Sequence, residues 1–427
     1  MGATPKNPPM NGPNTAPAAT RPRIDLVDAL RGSALAGLFL LHCVEHFEMG
    51  GGPTQAPAWI QALDSWVHPG AFFLFSGKAY AIFACMFGLS FFLQLDGAAR
   101  RGEDYRWRFL WRLGVLAGIG YLSGILFCGD ILMIIAVLGL PLVLFQKASN
   151  RLVAVLAAFL LLQVPAMWTI GRIYFAGYVP PSPLHWSLYG KLCALFANGS
   201  FTDVVSANLG QGQTVRFWYT FETGRYLQMT GLFLVGLLLG RSRIFEDAGR
   251  ALRFGKYALI GGVIGFAVLH PLARWTESLF PEGMARYPVT NLVNSYVSLA
   301  QMAFWIGAFI LLYHGTRAER ALRWLAPYGR TSLTCYVTQA LFWVPFYYGF
   351  GLAMYRHMGA TLSILAGIPF LILQCFAAHV WLRHFRYGPL EWFWRACTRL
   401  DFSTPLRRRA APVASPALVP TEASVSE

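Results

Sequence analysis

Two ionisable side chains lie inside long apolar segments, which makes them the first candidates for function. His42 lies in the apolar segment 29–47 and Lys78 in the segment 70–93. A helical rise of about 1.5 Å per residue places His42 about 20 Å from the inner end of its segment and Lys78 about 12 Å from the outer end of the next. Because the two share a depth, and because an imidazole suits general-base catalysis and an ammonium stabilises an oxyanion, we expect both to be catalytic.

The alternative interpretation of these two residues is structural. A lysine can extend its ammonium to the headgroups while its stem stays in apolar surroundings, and a histidine can pack with one hydrogen bond. A charge within the membrane is nevertheless costly unless a partner or an aqueous cavity compensates for it. The similar depth on consecutive segments therefore favours the catalytic interpretation.

Three more polar residues are expected near the outer surface, at the depth of His42 or above it. Asp130 lies in the turn between two apolar segments, where it could orient the imidazole or simply cap the following helix. Glu45 follows His42 by one helical turn, and Arg225 begins another apolar segment. We expect Glu45 and Arg225 to bind the substrate, although Arg225 could also pair with Asp130 or anchor its helix at the interface.

A second polar group is expected at the inner face. Asp28 and Arg31 are three residues apart and can pair on one helical face. Arg330 precedes a helix that begins near Ser332, and free N–H groups at a helix N-terminus bind anions such as phosphate. Gln339 lies two turns further into that helix and could bond a ligand amide or a neighbouring helix. We expect Arg31, Arg330 and Gln339 to contact a phosphate-bearing cofactor.

The segment 42–46 fits the H-x-x-E-H signature of zinc enzymes, in which two histidines bind the metal and the glutamate acts as a base. It lies at the outer end of an apolar helix, and no third ligand follows it at a characteristic spacing. We therefore expect no metal, and the zinc peptidase stays the less favoured alternative.

The elements that must position these residues are apolar helices. The 427 residues are 56% hydrophobic and 13% charged, against roughly 25% charged in a soluble domain. Windows of about 20 residues predict ten membrane spans, and the fold class is an all-α bundle of about ten transmembrane helices. The predicted spans are 29–47, 70–93, 109–127, 131–145, 151–170, 226–240, 256–275, 291–313, 332–352 and 361–382.

The distribution of charge gives the expected orientation. The net charge of +15 comes from Lys and Arg in every second connection, which excludes a nucleic-acid surface and places those connections and both termini in the cytoplasm. Residues 1–22 and 403–427 are expected to be disordered tails around a transmembrane domain, 23–402. The long outer connection 171–220 is expected to be a lid or an interfacial helix.

Several short motifs together resemble those of the bacterial YeiB-like family, catalogued as domain of unknown function 418. The matching segments are 28–32, 77–78, 82–88, 129–132, 231–241, 329–339 and 388–392. That family is similar in turn to transmembrane acyltransferases such as heparan-alpha-glucosaminide N-acetyltransferase and the acyltransferase-three proteins. The interval of eleven positions from Arg31 to His42 matches the arginine-to-histidine spacing on the first helix of the acyltransferase-three proteins. Many YeiB-like members carry Asn in place of His42, which leaves open whether this position is a base or an orienting group.

The resemblance implies an acyltransferase of the bacterial inner membrane. Acyl-CoA, expected to be acetyl-CoA, would bind from the cytosol at Arg31 and Arg330 and pass its acyl group to an extracytoplasmic acceptor such as a glycan. His42 would be the general base and Lys78 would stabilise the oxyanion. The alternative is a transporter or channel for a small polar or anionic solute, since intramembrane Lys, His and Gln also occur there.

Overall fold

The computed structural model describes residues 24–49, 52–53 and 56–408. The predicted tail 1–22 lies outside the described residues, as does 409–427 from the predicted tail 403–427. The described residues form helices and their connections, with one isolated antiparallel bridge between Phe385 and Arg407. The predicted all-α fold class is confirmed.

Eighteen α-helices follow one another along the described residues. They are α1 Asp25–Val44, α2 Ala58–Phe75, α3 Ala79–Ala99, α4 Arg106–Leu126, α5 Leu132–Gly139, α6 Asn150–Leu162, α7 Val164–Ala176, α8 Leu184–Asn198, α9 Phe201–Ala207, α10 Gln213–Glu222, α11 Arg225–Ser242, α12 Ala248–Ser278, α13 Arg286–Gly315, α14 Glu319–Arg323, α15 Leu325–Arg330, α16 Ser332–Tyr347, α17 Ala360–His384 and α18 Pro389–Arg399. Shorter helical turns of tighter or wider pitch are Leu140–Phe145, Asn208–Gly212, Ile244–Glu246 and Met354–Arg356.

Seven helical segments among the described residues are long and apolar enough to cross a membrane, which makes the chain a multi-pass membrane protein. They are Asp25–Val44, Ala58–Ala99, Arg106–Leu126, Asn150–Ala176, Ala248–Ser278, Arg286–Gly315 and Ala360–His384. The other three predicted spans correspond to the short apolar helix Leu132–Phe145, to α11 and to α16. The count of ten spans stays a prediction.

The predicted span 70–93 is not one continuous helix. The structure breaks it at Ser76–Lys78, between α2 and α3. Gly77 has φ +80°, a conformation that favours glycine, and a Cβ at this position would collide with the Ser298 side chain. Hydropathy alone could not show the break, because both halves are apolar.

Helix α1 lies at the centre of the bundle and packs against α2, α3, α15, α16 and α17. It crosses α15 at two glycines: a Cβ at Gly32 would collide with the Leu325 carbonyl, and one at Gly329 with the Asp28 carbonyl. The backbones can approach so closely only because both positions lack side chains. This crossing brings Arg31 and Arg330 to the same end of the bundle.

The connection 171–220 is folded rather than extended. It contains the end of α7, then α8, α9 and most of α10. Leu192, Phe196 and Val204 pack in one buried cluster with Phe39 and Phe47 from the outer end of α1. The connection therefore forms one wall of the region around His42.

Candidate functional site

The C-terminal end of α1, which the charge pattern predicts to be the outer end, borders a cavity of about 370 Å³, called the outer cavity. The cavity lies between α1, the α2–α3 break, the α4–α5 turn, α8, α10 and α11. Two histidines, two glutamates and two arginines line it together with several aromatic rings. These lining residues include His42, His185, Glu45, Glu48, Arg216, Arg225, Tyr80, Trp186, Tyr189 and Tyr219.

His42 faces this cavity beside two carboxylates. Its Nδ1 atom lies 3.4 Å from Glu45 Oε2, and its ring packs against Phe127 at 5.2 Å between centroids. Ligand atoms of His42, Glu45 and Glu48 lie within 4.8 Å of one another. The predicted placement of His42 beside Glu45 in an outer pocket agrees with this geometry, whereas Glu48 had not been singled out from the sequence.

A left-handed turn brings Glu48 back over His42. His46, Phe47 and Glu48 have φ values of 50°, 52° and 70°. Tyr348 donates a hydrogen bond of 2.9 Å to the Phe47 carbonyl, and Tyr189 donates one of 2.8 Å to Glu48 Oε2. Burial, and then the neighbouring Glu45, raise the pKa of the Glu48 carboxyl. Such backbone strain persists only where the surroundings enforce it.

The same turn separates the two histidines of the H-x-x-E-H signature. His46 Nε2 lies 2.7 Å from the Met358 carbonyl, and the His46 ring packs against Tyr347 at 5.0 Å. His46 is therefore turned toward the α16–α17 side and does not join His42, Glu45 and Glu48. The signature does not form the two-histidine zinc arrangement that its spacing suggested.

Lys78 does not meet His42. It lies at the N-terminus of α3, in the helix break, and its Nζ donates to the Phe72 carbonyl at 3.4 Å. Its neighbours Ser76 and Gly77 line the outer cavity, but Lys78 is not among the lining residues. The prediction that lysine and imidazole share a chamber is not supported, because the break turns the lysine back onto α2.

Asp130 is fully buried and takes the structural role that was its alternative. Its Oδ1 accepts a 2.8 Å hydrogen bond from the Leu132 N–H and so caps α5. Burial raises the pKa of its carboxyl, and the nearby cation that opposes this shift is Arg216. The cation near Asp130 is therefore Arg216 and not Arg225, which the sequence had left as a possible partner. The Arg216 guanidinium also donates to the carbonyls of Cys128 and Phe127.

Arg225 lies in the outer cavity, as expected for a substrate-binding residue. Its guanidinium carbon sits 4.7 Å from the centre of the Tyr80 ring and 4.6 Å from that of Tyr219. Two aromatic faces hold a guanidinium without occupying its N–H donors. Arg225 is thus a well-placed cation in the cavity from which Lys78 is absent.

The N-terminal end of α1, which the charge pattern predicts to be the inner end, borders a second cavity of about 470 Å³, called the inner cavity. Arg31 and Arg330 both line it, as predicted, and Arg31 also donates to Asp28 at 3.0 Å and to Ser90 at 2.6 Å. Among the described residues, seven arginines and a single carboxylate, Glu391, line this space. The arginines are Arg31, Arg101, Arg108, Arg112, Arg330, Arg395 and Arg399.

The N-terminus of α16 is already occupied by a carboxylate. Glu391 accepts hydrogen bonds from the N–H groups of Leu333 at 2.7 Å and Thr334 at 3.0 Å, and from the Thr334 hydroxyl at 2.6 Å. The predicted phosphate site therefore keeps Arg330 but loses the N–H groups of this helix terminus, which Glu391 already binds.

Gln339 lies outside the cavity lining and donates to the Tyr328 hydroxyl at 2.7 Å and to Gln374 at 3.0 Å. It bonds neighbouring helices, which was its alternative role.

The two cavities stand back to back. Tyr336 lines the inner cavity, Ile131 lines the outer one, and the Tyr336 hydroxyl accepts a 3.1 Å hydrogen bond from the Ile131 N–H. The next residue along the chain, Leu132, faces the inner side again. Arg31 and His42, eleven residues apart on α1, mark the two ends about 16.5 Å from each other.

Sequence reasoning missed the residues contributed by the connection 171–220. His185, Tyr189, Arg216 and Tyr219 all lie there or at its end. The only available signal was that the connection is too long for a simple linker and is rich in aromatic residues. Nothing in its periodicity could show that these side chains turn toward α1.

Comparison with known proteins places the chain among bacterial relatives. Residues 239–401 match the family model described as "Protein of unknown function (DUF418)". The predicted resemblance to the YeiB-like family is confirmed over these residues. This YeiB-like region supplies Arg330, Glu391 and Arg395 of the inner cavity, whereas His42 and His185 lie before it.

Three relatives extend the similarity over most of the chain. "Uncharacterized protein YxaH" of Bacillus subtilis is 25% identical over 417 residues, covering 90% of this chain and 96% of the relative. "Uncharacterized protein YeiB" of Escherichia coli is 26% identical and covers 87% of this chain and 95% of the relative. An "Uncharacterized 39.9 kDa protein in amylase 3'region" of Bacillus acidopullulyticus is 27% identical and covers 90% of this chain and 95% of the relative.

Proposed function

We propose that this protein is an acyl-CoA-dependent transmembrane acyltransferase, which moves an acyl group from cytosolic acyl-CoA to an acceptor on the extracytoplasmic side. The observation that carries the proposal is the back-to-back arrangement of the two cavities. One is lined by arginines and the other by imidazoles and carboxylates, and the Tyr336 hydroxyl of the first accepts a hydrogen bond from the Ile131 N–H of the second. That arrangement suits a donor and an acceptor that approach from opposite sides.

The inner cavity suits the phosphates and the base of CoA. Arginine binds phosphate oxygens in pairs through its planar fork of donors, and seven arginines line this cavity. Trp394 and Tyr387 add aromatic faces, and the Arg112 guanidinium already stacks on Trp394 at 3.5 Å. The pantetheine arm would then extend past Tyr336 toward His42.

The outer cavity suits the transfer step. The acceptor oxygen or nitrogen bonds to the thioester carbonyl carbon, the carbon–sulfur bond breaks, and His42 carries the proton exchange at the thioester. Arg225 takes the role of oxyanion stabiliser that the sequence had assigned to Lys78, because Arg225 lines the cavity and Lys78 does not. Glu45 and Glu48 lie beside His42 and offer acceptors for hydroxyl groups of a glycan.

The proposed orientation follows from the arginines of the connection between α3 and α4. Arg101 and Arg108 lie in or next to this connection and line the inner cavity. From the positive-inside rule we infer that this end faces the cytosol, which gives the inner cavity access to CoA. We propose the bacterial inner membrane as the location of the protein.

One observation favours a transporter for a small anionic solute as the second candidate. The break between α2 and α3 at Ser76–Lys78 lies at the outer cavity, and many transporters build their binding sites at such discontinuous helices. A transporter would bind its solute from both sides and would not cleave a thioester.

The test uses the purified full-length protein. We expect acetyl-CoA to raise its thermal unfolding midpoint, because a ligand that binds only the folded state stabilises it. We also expect free CoA thiol to be released when glycerol or hydroxylamine is supplied as an acceptor. Arg395→Gln removes a cation of the inner cavity, and Arg274→Gln, an exposed arginine of α12, is the matched control. An unshifted midpoint together with no CoA release would contradict the proposal, and a shift produced only by simple anions would favour transport.

A further inference from the structure

A second imidazole–carboxylate pair borders the outer cavity: His185, at the start of α8, lines the cavity, and its ring contacts Glu222 at the end of α10. His185 Nδ1 lies 2.5 Å from Glu222 Oε2. The corresponding distance from His42 Nδ1 to Glu45 Oε2 is 3.4 Å. The pair formed by His185 and Glu222 thus has the shorter contact of the two.

Glu222 is itself held in place by the backbone. Its Oε1 accepts the Leu184 N–H at 2.8 Å, and its Oε2 accepts the His185 N–H at 3.1 Å. Burial opposes ionisation of Glu222, but the hydrogen bonds from the His185 ring and from these N–H groups hold the pKa of its carboxyl below the usual value. An ionised carboxylate can only accept, so the proton of a neutral His185 ring lies on Nδ1.

This tautomer leaves the lone pair of His185 on Nε2. The ring lines the outer cavity with His42 and Glu45, and it packs edge-on against Tyr219 at 5.3 Å. Nε2 has no hydrogen-bond partner within the described part of the chain. A buried imidazole with one nitrogen fixed by a carboxylate and the other bare has the arrangement of a general base and its orienting group.

We propose that His185 is the catalytic base that receives the acceptor's proton and that Glu222 is its positioning residue. The inference rests on the proposed acyl transfer. The O–H or N–H proton of the acceptor passes to His185 Nε2 as the acceptor bonds to the thioester carbon. The carbon–sulfur bond breaks, the leaving sulfur takes a proton from His42, and the proton on His185 returns to His42 through water before the next turnover.

Glu222 also caps α8, so loss of activity alone would not separate catalysis from structure. Two acceptors provide the separation. Glycerol must lose a hydroxyl proton during attack and needs a base, whereas hydroxylamine is a strong neutral nucleophile that needs little help. A missing base therefore changes the ratio of the two transfer rates, while a collapsed cavity lowers both.

The experiment measures release of CoA thiol from acetyl-CoA in the full-length protein with each acceptor. We expect His185→Ala to lower transfer to glycerol about 100-fold and transfer to hydroxylamine less than about threefold. Added imidazole should restore transfer to glycerol, because it can occupy the space of the deleted ring. Glu222→Gln should lower transfer to glycerol about tenfold or more, because the carboxylate that holds the His185 proton on Nδ1 is lost. His270→Gln, in an exposed part of α12, is the matched control.

The outcomes separate this inference from the proposed function. If the wild-type protein releases CoA but His185→Ala leaves the ratio of the two rates unchanged, or imidazole restores nothing, His185 is not the base and acyl transfer stands. If the wild-type protein releases no CoA with either acceptor, the proposed function and this inference both fall. A changed ratio with rescue by imidazole supports both.

Discussion

The two cavities on α1 differ in the way their charges are held. In the inner cavity seven arginines surround a single carboxylate, Glu391, which is committed to the N-terminus of α16. In the outer cavity each histidine stands beside a carboxylate, and a left-handed turn holds Glu48 over His42. A cavity lined mainly by cations attracts an anionic ligand, whereas imidazole–carboxylate pairs are suited to proton transfer. Under the proposed function, this contrast corresponds to donor binding at one end of α1 and chemistry at the other.

The largest expected effect comes from removing the imidazole on the chemical side. His42→Ala should lower the rate of acyl transfer about 100-fold or more, because proton transfer at the thioester is lost. The increase in unfolding temperature produced by acetyl-CoA should stay at its wild-type value, since the phosphates of the donor bind at the Arg31 end of α1, about 16.5 Å from His42. If His42→Ala abolished both acyl transfer and the stabilisation by acetyl-CoA, the two cavities would not have separate roles.

A smaller effect of the opposite kind is expected on the binding side. Arg330→Gln should raise the KM for acetyl-CoA about tenfold while kcat changes little, because a charge-assisted hydrogen bond contributes about 1.5 kcal/mol to both ground and transition states. Steady-state kinetics measure the split, with Arg274→Gln as the control. A fall in kcat at unchanged KM would move Arg330 into the chemical step.

The helix break beside the outer cavity should be sensitive to a single methyl group. Gly77→Ala forces a non-glycine residue to φ +80° and against Ser298, which should destabilise the protein by about 1–2 kcal/mol. Gly261→Ala in α12 has open space around its Cβ and should be neutral or slightly stabilising. Thermal unfolding compares the two variants, and equal midpoints would show that the break is not a constraint.

The smallest effect is expected at the lysine that the sequence had marked as catalytic. Lys78→Met should change the acyl-transfer rate by less than about twofold, because its Nζ contacts the Phe72 carbonyl and the residue does not line the cavity. If Lys78→Met lowered the acyl-transfer rate as much as His42→Ala, Lys78 and not Arg225 would be the residue that stabilises the oxyanion.

The all-α membrane fold could be predicted because hydropathy reports burial in lipid directly. The positions of Arg31 and His42 followed from their place along α1, which is a continuous helix. Lys78 could not be placed in the same way, since the Gly77 break rotates it away from the direction that a straight helix would give. Distance along a helix is informative only while the helix is unbroken.

Contacts between distant segments were beyond the reach of the sequence for the same reason. Nothing near Ser332 indicates that Glu391, fifty-nine residues later, fills its helix N-terminus. The pairing of His185 with Glu222 likewise depends on the packing of α8 against α10. The Glu391 contact leaves the arginines, and not the helix N-terminus, as the candidate phosphate site. The packing of α8 against α10 places a second imidazole, His185, at the outer cavity.

The central claim is that one molecule of acyl-CoA reaches from the arginine-lined cavity toward His42. It is tested most directly by determining the structure of the protein with acetyl-CoA. We predict density for the phosphates among Arg330 and Arg395, with the thioester extending past Tyr336 toward the outer cavity. Density whose acyl end stays on the inner side of a closed Tyr336–Ile131 contact, or no density between α1, α16 and α18, would contradict the account.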